Sequence, residues 1–438
     1  MLTTKVNRLW HLIEESLISN ALKPCISYRN VELSYGEIHS RVNLITSFLF
    51  EKQIPAFCNN CSNPISFVIL QLAGIQLGIP SYLFLPKDKS IKVFDEQIID
   101  SIIENRQTIT VDKYFSTKES YSFFFNSSGT TSIPHVVENT SLSFFFICEA
   151  IKRYKPMNDY LGRYKRFLLC CPLNHSFGFS SLIEMLIYGV HSYFPDTFSI
   201  LDIIKTIHSC GEKRINSILA SPFIVEKSIE LLHGSFLDKI QHIGLGTDKP
   251  SKKLIENIYA YNKNILISNR YGLTEIPSAI FVSNFESKEV AEETLYNLAS
   301  PLPIYTYEVS LNEVGEYDLS ILNLLTNEII PTGDSVGYDK QNKLYLIGRS
   351  KEIIKYNGIR IDCSVIENVL LGCMGIEDCL LYVSENKLIL EYVSEKNVIS
   401  NSIIRSYWRD NISTEYYPDL YKNVDRIHRT ITGKKQRR

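Results

Sequence analysis

Apolar and polar positions along the chain follow two alternating rhythms. ISFVILQLAGIQLGIP (65–80) is apolar on every side and long enough for a buried helix, with Gly78 and Pro80 as its stop. SYLFLP (81–86) then reads as a strand. The succession recurs further on. RFLLCCPL (166–173) predicts a strand and SLIEMLIYGV (181–190) a helix. SILA (217–220) predicts a strand, and SPFIVEKSIELLHG (221–234) a helix capped at its start and ended by Gly234. HIGLG (242–246) and ILISNRYG (265–272) are two more strand–loop units, and SLSFFFICEAI (141–151) fits a buried element. Strands alternating with helices predict parallel sheets covered on both faces. Ligands of such sheets bind at the loops beyond the strand C-termini.

From about residue 305 to 348 the texture changes to strands with Gly and Asn turns, a small β subdomain. Beyond it, IDCSVIENVLLG (361–372) reads as an N-capped helix, and DCLLYVS with KLILEYVS as a hairpin. The expected fold is therefore α/β. Residues 1–349 form a large N-terminal domain of parallel-sheet α/β subdomains plus the β subdomain. Residues 350–438 form a small α+β domain.

The 438 residues are 45% hydrophobic and 21% charged, which excludes disorder and coiled coil for the chain as a whole. Basic and acidic residues nearly cancel, 46 against 48, so no general nucleic-acid backbone binder is expected. Ten irregularly spaced Cys read as reduced thiols; Cys58 and Cys61 form the one C-x-x-C and lack a second pair at zinc-ribbon spacing. No apolar run reaches the ~18 residues that span a bilayer. The opening MLTTKVNRLWHLIEES is an amphipathic helix rather than a secretory leader. A cytoplasmic protein without stable membrane insertion is the expectation.

Four segments carry candidate chemistry. An aromatic strand runs into Asn126-Ser127-Ser128-Gly129-Thr130-Thr131-Ser132, small and hydroxyl-rich; such a loop offers N–H and O–H groups to phosphate, or is simply a surface loop. It lacks the Gly-Lys-Ser/Thr of a Walker loop. ISNRYGLTE (267–275) gathers Asn269, Tyr271, Thr274 and Glu275: an amide and a ring suited to a base, a hydroxyl suited to phosphate, and a carboxylate suited to Mg²⁺. The plainer alternative is a capped turn. Asp334, after Thr332-Gly333 in an expected turn, suits two ribose hydroxyls, and Arg349 follows a strand at the domain boundary. RTITGKKQRR (429–438) places Lys434 behind Gly433, suited to neutralising phosphate or belonging to a basic tail.

Together, in this order, these segments resemble the AMP-forming adenylating superfamily: acyl- and aryl-CoA synthetases, non-ribosomal peptide adenylation domains and luciferase. Ser127-Ser128-Gly129-Thr130-Thr131, with Pro134 and Val137, is similar to that family's phosphate loop. Pro172 with His175-Ser176-Phe177-Gly178 is similar to its acid-pocket motif, and Gly246-Thr247 to its adenine turn. Asn269-x-Tyr271-Gly272-x-Thr274-Glu275 matches the adenine and Mg²⁺ motif, and Asp334 and Gly348-Arg349 the ribose motifs. Lys351 matches the hinge, with rotation about 350–351 making the C-terminal domain mobile. Lys355 to Gly358 matches the segment facing the thiol channel, and Thr430 with Gly433-Lys434 the catalytic-lysine motif. The chain departs from the family at Ser132, His135 and Val136, where Gly, Lys and Gly are usual.

The resemblance implies an acid–thiol ligase using ATP and Mg²⁺, with CoA or a carrier-protein phosphopantetheine as co-substrate and a small carboxylic acid as partner. It implies Lys434, Thr274, Glu275 and Lys355 as catalytic residues, with Glu275 on the metal. Amino-acid-activating relatives carry Asp at the position of Ser176, so a non-amino, largely apolar fatty or aryl acid is expected. Two alternatives remain: delivery of the adenylate to a non-thiol acceptor, and a silent ATP- or AMP-binding homologue.

Overall fold

The computed structural model describes residues 7–105, 120–126, 136–311, 317–349, 353–356, 359–385, 387–394, 399–412, 414, 416–429 and 435–436, with backbone alone at 292, 349, 353, 355, 359, 360 and 362. The chain forms two compact units. Of the described residues, the first holds those up to 126, 136–295 and 299–306; the second holds 296–298 and those from 307 onward.

The first unit contains two sheets. The larger has eight strands in the order 276–285, 266–273, 242–245, 217–220, 166–169, 191–194, 24–28, 31–34. It is parallel from Leu266–Leu273 across to Pro24–Tyr28, and an antiparallel strand closes each flank. The smaller sheet has five strands, 92–94, 57–59, 81–82, 122–126 and 136–140, the last pair antiparallel.

Helix Pro64–Leu77 is bounded as the sequence predicts. Asn63 caps its start by accepting from Ile65 N–H, and Gly78 ends it at φ +65°. Its two buried amides are satisfied, Gln71 by Ser81 and Gln76 by Thr46. The amphipathic N-terminal helix, Arg8–Ser19, buries Leu9, Trp10, Leu12, Ile13 and Leu17.

Other boundaries moved. The strand expected at 166–173 stops at Leu169, before Pro172, which cannot donate to a ladder. The strand expected at 81–86 is reduced to Ser81–Tyr82. The helix expected at 181–190 is Ser176–Ile187: it starts five residues early, absorbing Ser176 and Gly178, weak helix formers that read as loop, along with Phe177 between them.

The second unit carries a four-stranded sheet (305–311, 317–323, 328–338, 344–349) whose last three strands are antiparallel, with residues 305–306 belonging to the first unit, a hairpin (353–356 with 359–362) and a three-stranded sheet. In that last sheet the expected hairpin Asp378–Ser384/Lys387–Val393 gains a parallel strand, Leu420–Asn423. The expected helix is Cys363–Leu370. It packs with Leu381, Leu390, Ile404 and Trp408 into a core of its own. The boundary expected at 349–351 falls inside this unit, between Leu344–Arg349 and Ile353–Tyr356.

Thr332-Gly333-Asp334 is not a turn. It lies inside the eleven-residue strand Glu328–Tyr338, where Leu319 pairs with Asp334 and the next residue, Ser320, with Pro331. Thr332 and Gly333 (φ +69°) are the extra residues of a bulge, which re-aims Asp334 without ending the strand. Among the described residues, no helix is long and apolar enough to cross a membrane.

Candidate active site

Two sequence-predicted segments and the strand that follows a third meet at Thr274, on the corner between strands Leu266–Leu273 and Ile276–Phe285. Ser176 Oγ lies 3.3 Å from Thr274 Oγ1. Asn139 Nδ2 donates to Thr274 O at 2.8 Å, and Asn139 stands in Val136–Thr140, the strand that follows the hydroxyl-rich loop. That loop's entry and exit are paired, Asn126 opposite Val136. Ser127, Ser128, Gly129, Thr130 and Thr131 lie outside the described residues, as do Ser132 and His135.

Around this corner each neighbour has a definite seat. Glu275 is exposed beside Thr274. Asn269 pairs with Leu245 in the parallel ladder, and its amide donates to Leu295 O at 3.2 Å. Tyr271 stands opposite Phe281, ring centroids 5.7 Å apart. Gly272 sits at the register shift between Tyr271 and Leu273. On the next strand end, Thr247 adopts φ +72° and its Oγ1, out of solvent, has no hydrogen-bond partner among the described residues. A buried hydroxyl without a partner is costly, so a ligand atom suits this position.

Two glycines are demanded by close approach. A Cβ on Gly178 would sit 2.1 Å from Pro172 O, and one on Gly246 would sit 2.5 Å from the Phe177 ring. The helix start at 175–178 thus packs directly on the ends of strands 166–169 and 242–245. His175 is its N-cap residue.

Sequence reasoning missed what lies beneath. Arg270, between Asn269 and Tyr271, forms a buried ion pair with Glu184 of the helix Ser176–Ile187, at 2.8 and 2.9 Å; their side chains are 1% and 2% exposed. Arg270 also donates to Ser181 at 3.2 Å and lies 5.2 Å above the Phe177 ring. Ser278 donates to Glu184 at 2.5 Å. Burial works most strongly against the Arg270 charge, but the Glu184 carboxylate, together with Tyr160 and Cys171, offsets it, and the net shift is upward. Behind Arg270, His242 bonds Ser217 and Ser268 and stacks on Tyr160. Burial first, then the nearby Arg270, holds this imidazole well below its ordinary pKa. The available signal was Glu184 itself, the one ionisable residue of SFGFSSLIEMLI.

The second unit holds the other group. Asp334 is buried and stands opposite Arg349 across the ladder. Thr332 donates to Leu319 O and accepts from Asp334 N–H, which fixes the bulge. Lys355 lies on Ile353–Tyr356, opposite Arg360. Lys351, Gly358 and Lys434 lie outside the described residues. Lys435 is described: its Nζ donates to Glu367 at 2.9 Å and to Cys379 O, and it lies 3.4 Å from Asp378. Arg429, bridged to Lys435, pairs with Asp378 at 2.6 Å.

A mostly parallel sheet with polar residues gathered at its strand ends defines an α/β protein that binds its ligand there. The chain belongs to the AMP-binding enzyme family, whose model matches residues 88–316; this is the adenylate-forming superfamily to which the motif order points. It is 24% identical over 371 residues to a 2-succinylbenzoate--CoA ligase of Oceanobacillus iheyensis, covering 80% of this chain and 74% of that one. It is similar in fold to the O-succinylbenzoate coenzyme A synthetase of Bacillus subtilis in complex with AMP (TM-score 0.79, 17% identity, 97% of each chain). It is likewise similar in fold to Klebsiella oxytoca NpsA in complex with 3-hydroxyanthranilyl-AMSN (TM-score 0.77, 16% identity, 98% and 97% of the two chains).

Proposed function

We propose that the chain is an AMP-forming acid–thiol ligase. The observation that carries this reading is the convergence on Thr274: the strand leaving the hydroxyl-rich loop, the acid-pocket segment and the nucleotide motif meet at one corner. An ATP α-phosphate and a carboxylate must share such a place for adenylation to be intramolecular in effect.

The acid's carboxylate oxygen attacks the α-phosphorus. A P–O bond forms to the acid, the bond to the β-phosphate oxygen breaks, and pyrophosphate leaves. Residues 127–131 and Thr274 cradle the phosphates, Tyr271, Asn269, Gly246 and Thr247 take the adenine, and Asp334 and Arg349 take the ribose. Lys434 neutralises the charge that develops between carboxylate and α-phosphate. A single exposed carboxylate, Glu275, fits Mg²⁺, which takes one or two carboxylates and completes its shell with water and substrate phosphates. Bound there, the ion would supply charge neutralisation.

Residues 350–438 then rotate about Lys351, presenting Lys355 and Gly358 to the second substrate. A thiol of CoA or of a carrier protein's phosphopantetheine, its proton released to solvent, attacks the acyl carbonyl; a C–S bond forms, the C–O bond to AMP breaks, and AMP leaves. The acid is non-amino, fatty or aryl, because Ser176 offers no carboxylate to an ammonium group.

The test is pyrophosphate release from ATP and Mg²⁺ with fatty, aryl and amino acids, with and without CoA. Release with a fatty or aryl acid, lost in Lys434→Ala while thioester formation from supplied acyl-AMP persists, is the expected result. Release with amino acids alone, equal loss of both steps, or no release despite ATP binding overturns it.

A further inference from the structure

We propose that Glu184 and Arg270 form a closed, polar floor to the acid pocket, so that the acid is short and carries a neutral hydrogen-bond acceptor. The inference rests on the ligase reading and narrows its substrate from fatty or aryl to one of aryl size.

Ser176 and Thr274 mark the reacting end. The acid extends from there along the helix Ser176–Ile187. Phe177, Ser181 and Glu184 follow one another at spacings of four and three residues, which puts them on one helix face. That is the face Arg270 touches, through the Phe177 ring, the Ser181 hydroxyl and the Glu184 carboxylate. From Ser176 to Ser181 the helix rises about 7 Å, and to Glu184 about 12 Å. A benzene ring fits within that length; a long acyl chain runs into a desolvated ion pair. Ser278 closes the same group from the strand Ile276–Phe285.

The charges of the floor are already matched. Both Glu184 oxygens are engaged by Arg270, so a second charged group on the acid has no partner there. One donor is left over: Arg270 Nε, buried, has no hydrogen-bond partner among the described residues. A hydroxyl or carbonyl oxygen on the acid would satisfy it. An added alkyl group would leave it orphaned.

The test compares binding of stable acyl-sulfamoyl adenosines by calorimetry: benzoyl, meta-hydroxybenzoyl and decanoyl. The hydroxybenzoyl compound should bind about ten- to a hundredfold tighter than benzoyl, the worth of one hydrogen bond to a charged donor. Decanoyl should bind about tenfold or more weaker than benzoyl, because overfilling a packed site is costly. In the double variant Glu184→Leu/Arg270→Leu the hydroxyl preference should vanish and decanoyl should gain. Decanoyl binding as tightly as benzoyl in the unaltered protein overturns the floor, and so does the absence of a hydroxyl preference. Failure of the ligase reading is distinguishable, because then none of the three compounds binds better than AMP and no acid releases pyrophosphate.

Discussion

Removing one member of the Glu184–Arg270 pair should cost far more than removing both. In Glu184→Leu the guanidinium stays buried without its counter-ion, and breaking a buried pair this way costs about 3–5 kcal/mol. Ser278 loses its acceptor as well, which adds about 1 kcal/mol. Arg270→Leu strands the carboxylate in the same way. The double leucine variant replaces the pair with apolar groups of broadly similar volume and should lie within about 2 kcal/mol of the unaltered protein. The coupling between the two sites should thus be at least about 5 kcal/mol. The chain's two tryptophans allow the first unit to be followed by itself. Trp10 is buried in the first unit, and Trp408, bonded to Tyr416 O, in the second. In a Trp408→Phe background, urea unfolding monitored by fluorescence reports on Trp10 alone. Additive single costs, or a Glu184→Leu cost below about 1 kcal/mol, would refute the coupling.

Lys435→Met should destabilise the second unit by about 2–4 kcal/mol, because the largely buried Glu367 loses the Lys435 ammonium while Arg429 still serves Asp378; an unchanged Trp408 midpoint in a Trp10→Phe background would count against this. The first unit should weaken as pH falls from about 6.5 toward 4. Burial holds His191 down, to about 4, against the partial opposition of Glu32, and it holds His242 well below its ordinary value. Below about pH 6.5 the unfolded chain therefore binds more protons than the folded one, and stability must fall. Equal urea midpoints for Trp10 at pH 7 and pH 5 would contradict the assignment.

Elements whose cause is local were readable in advance. Asn63, Pro64 and Gly78 bound their helix through capping and backbone geometry set within a few residues. The alternation of strands and helices gave the parallel centre of the larger sheet, and the order of Asn269, Tyr271, Thr274 and Glu275 marked the strand end where Ser176 and Asn139 arrive. The family, too, was legible in the spacing of such motifs. Less local features were read wrongly or not at all. Asp334 looked like a turn residue, because a bulge differs from a turn only through its partner strand.

Arg270 looked like filler between two functional neighbours. Its partner stands eighty-six positions away, on a helix whose start the polar pattern concealed. Local propensity and periodicity belong to a few consecutive residues, and the amino-acid order states them outright. Whether a buried charge has a counter-ion depends on which distant elements pack face to face, and folding settles that only when the helix Ser176–Ile187 closes onto the strand ends.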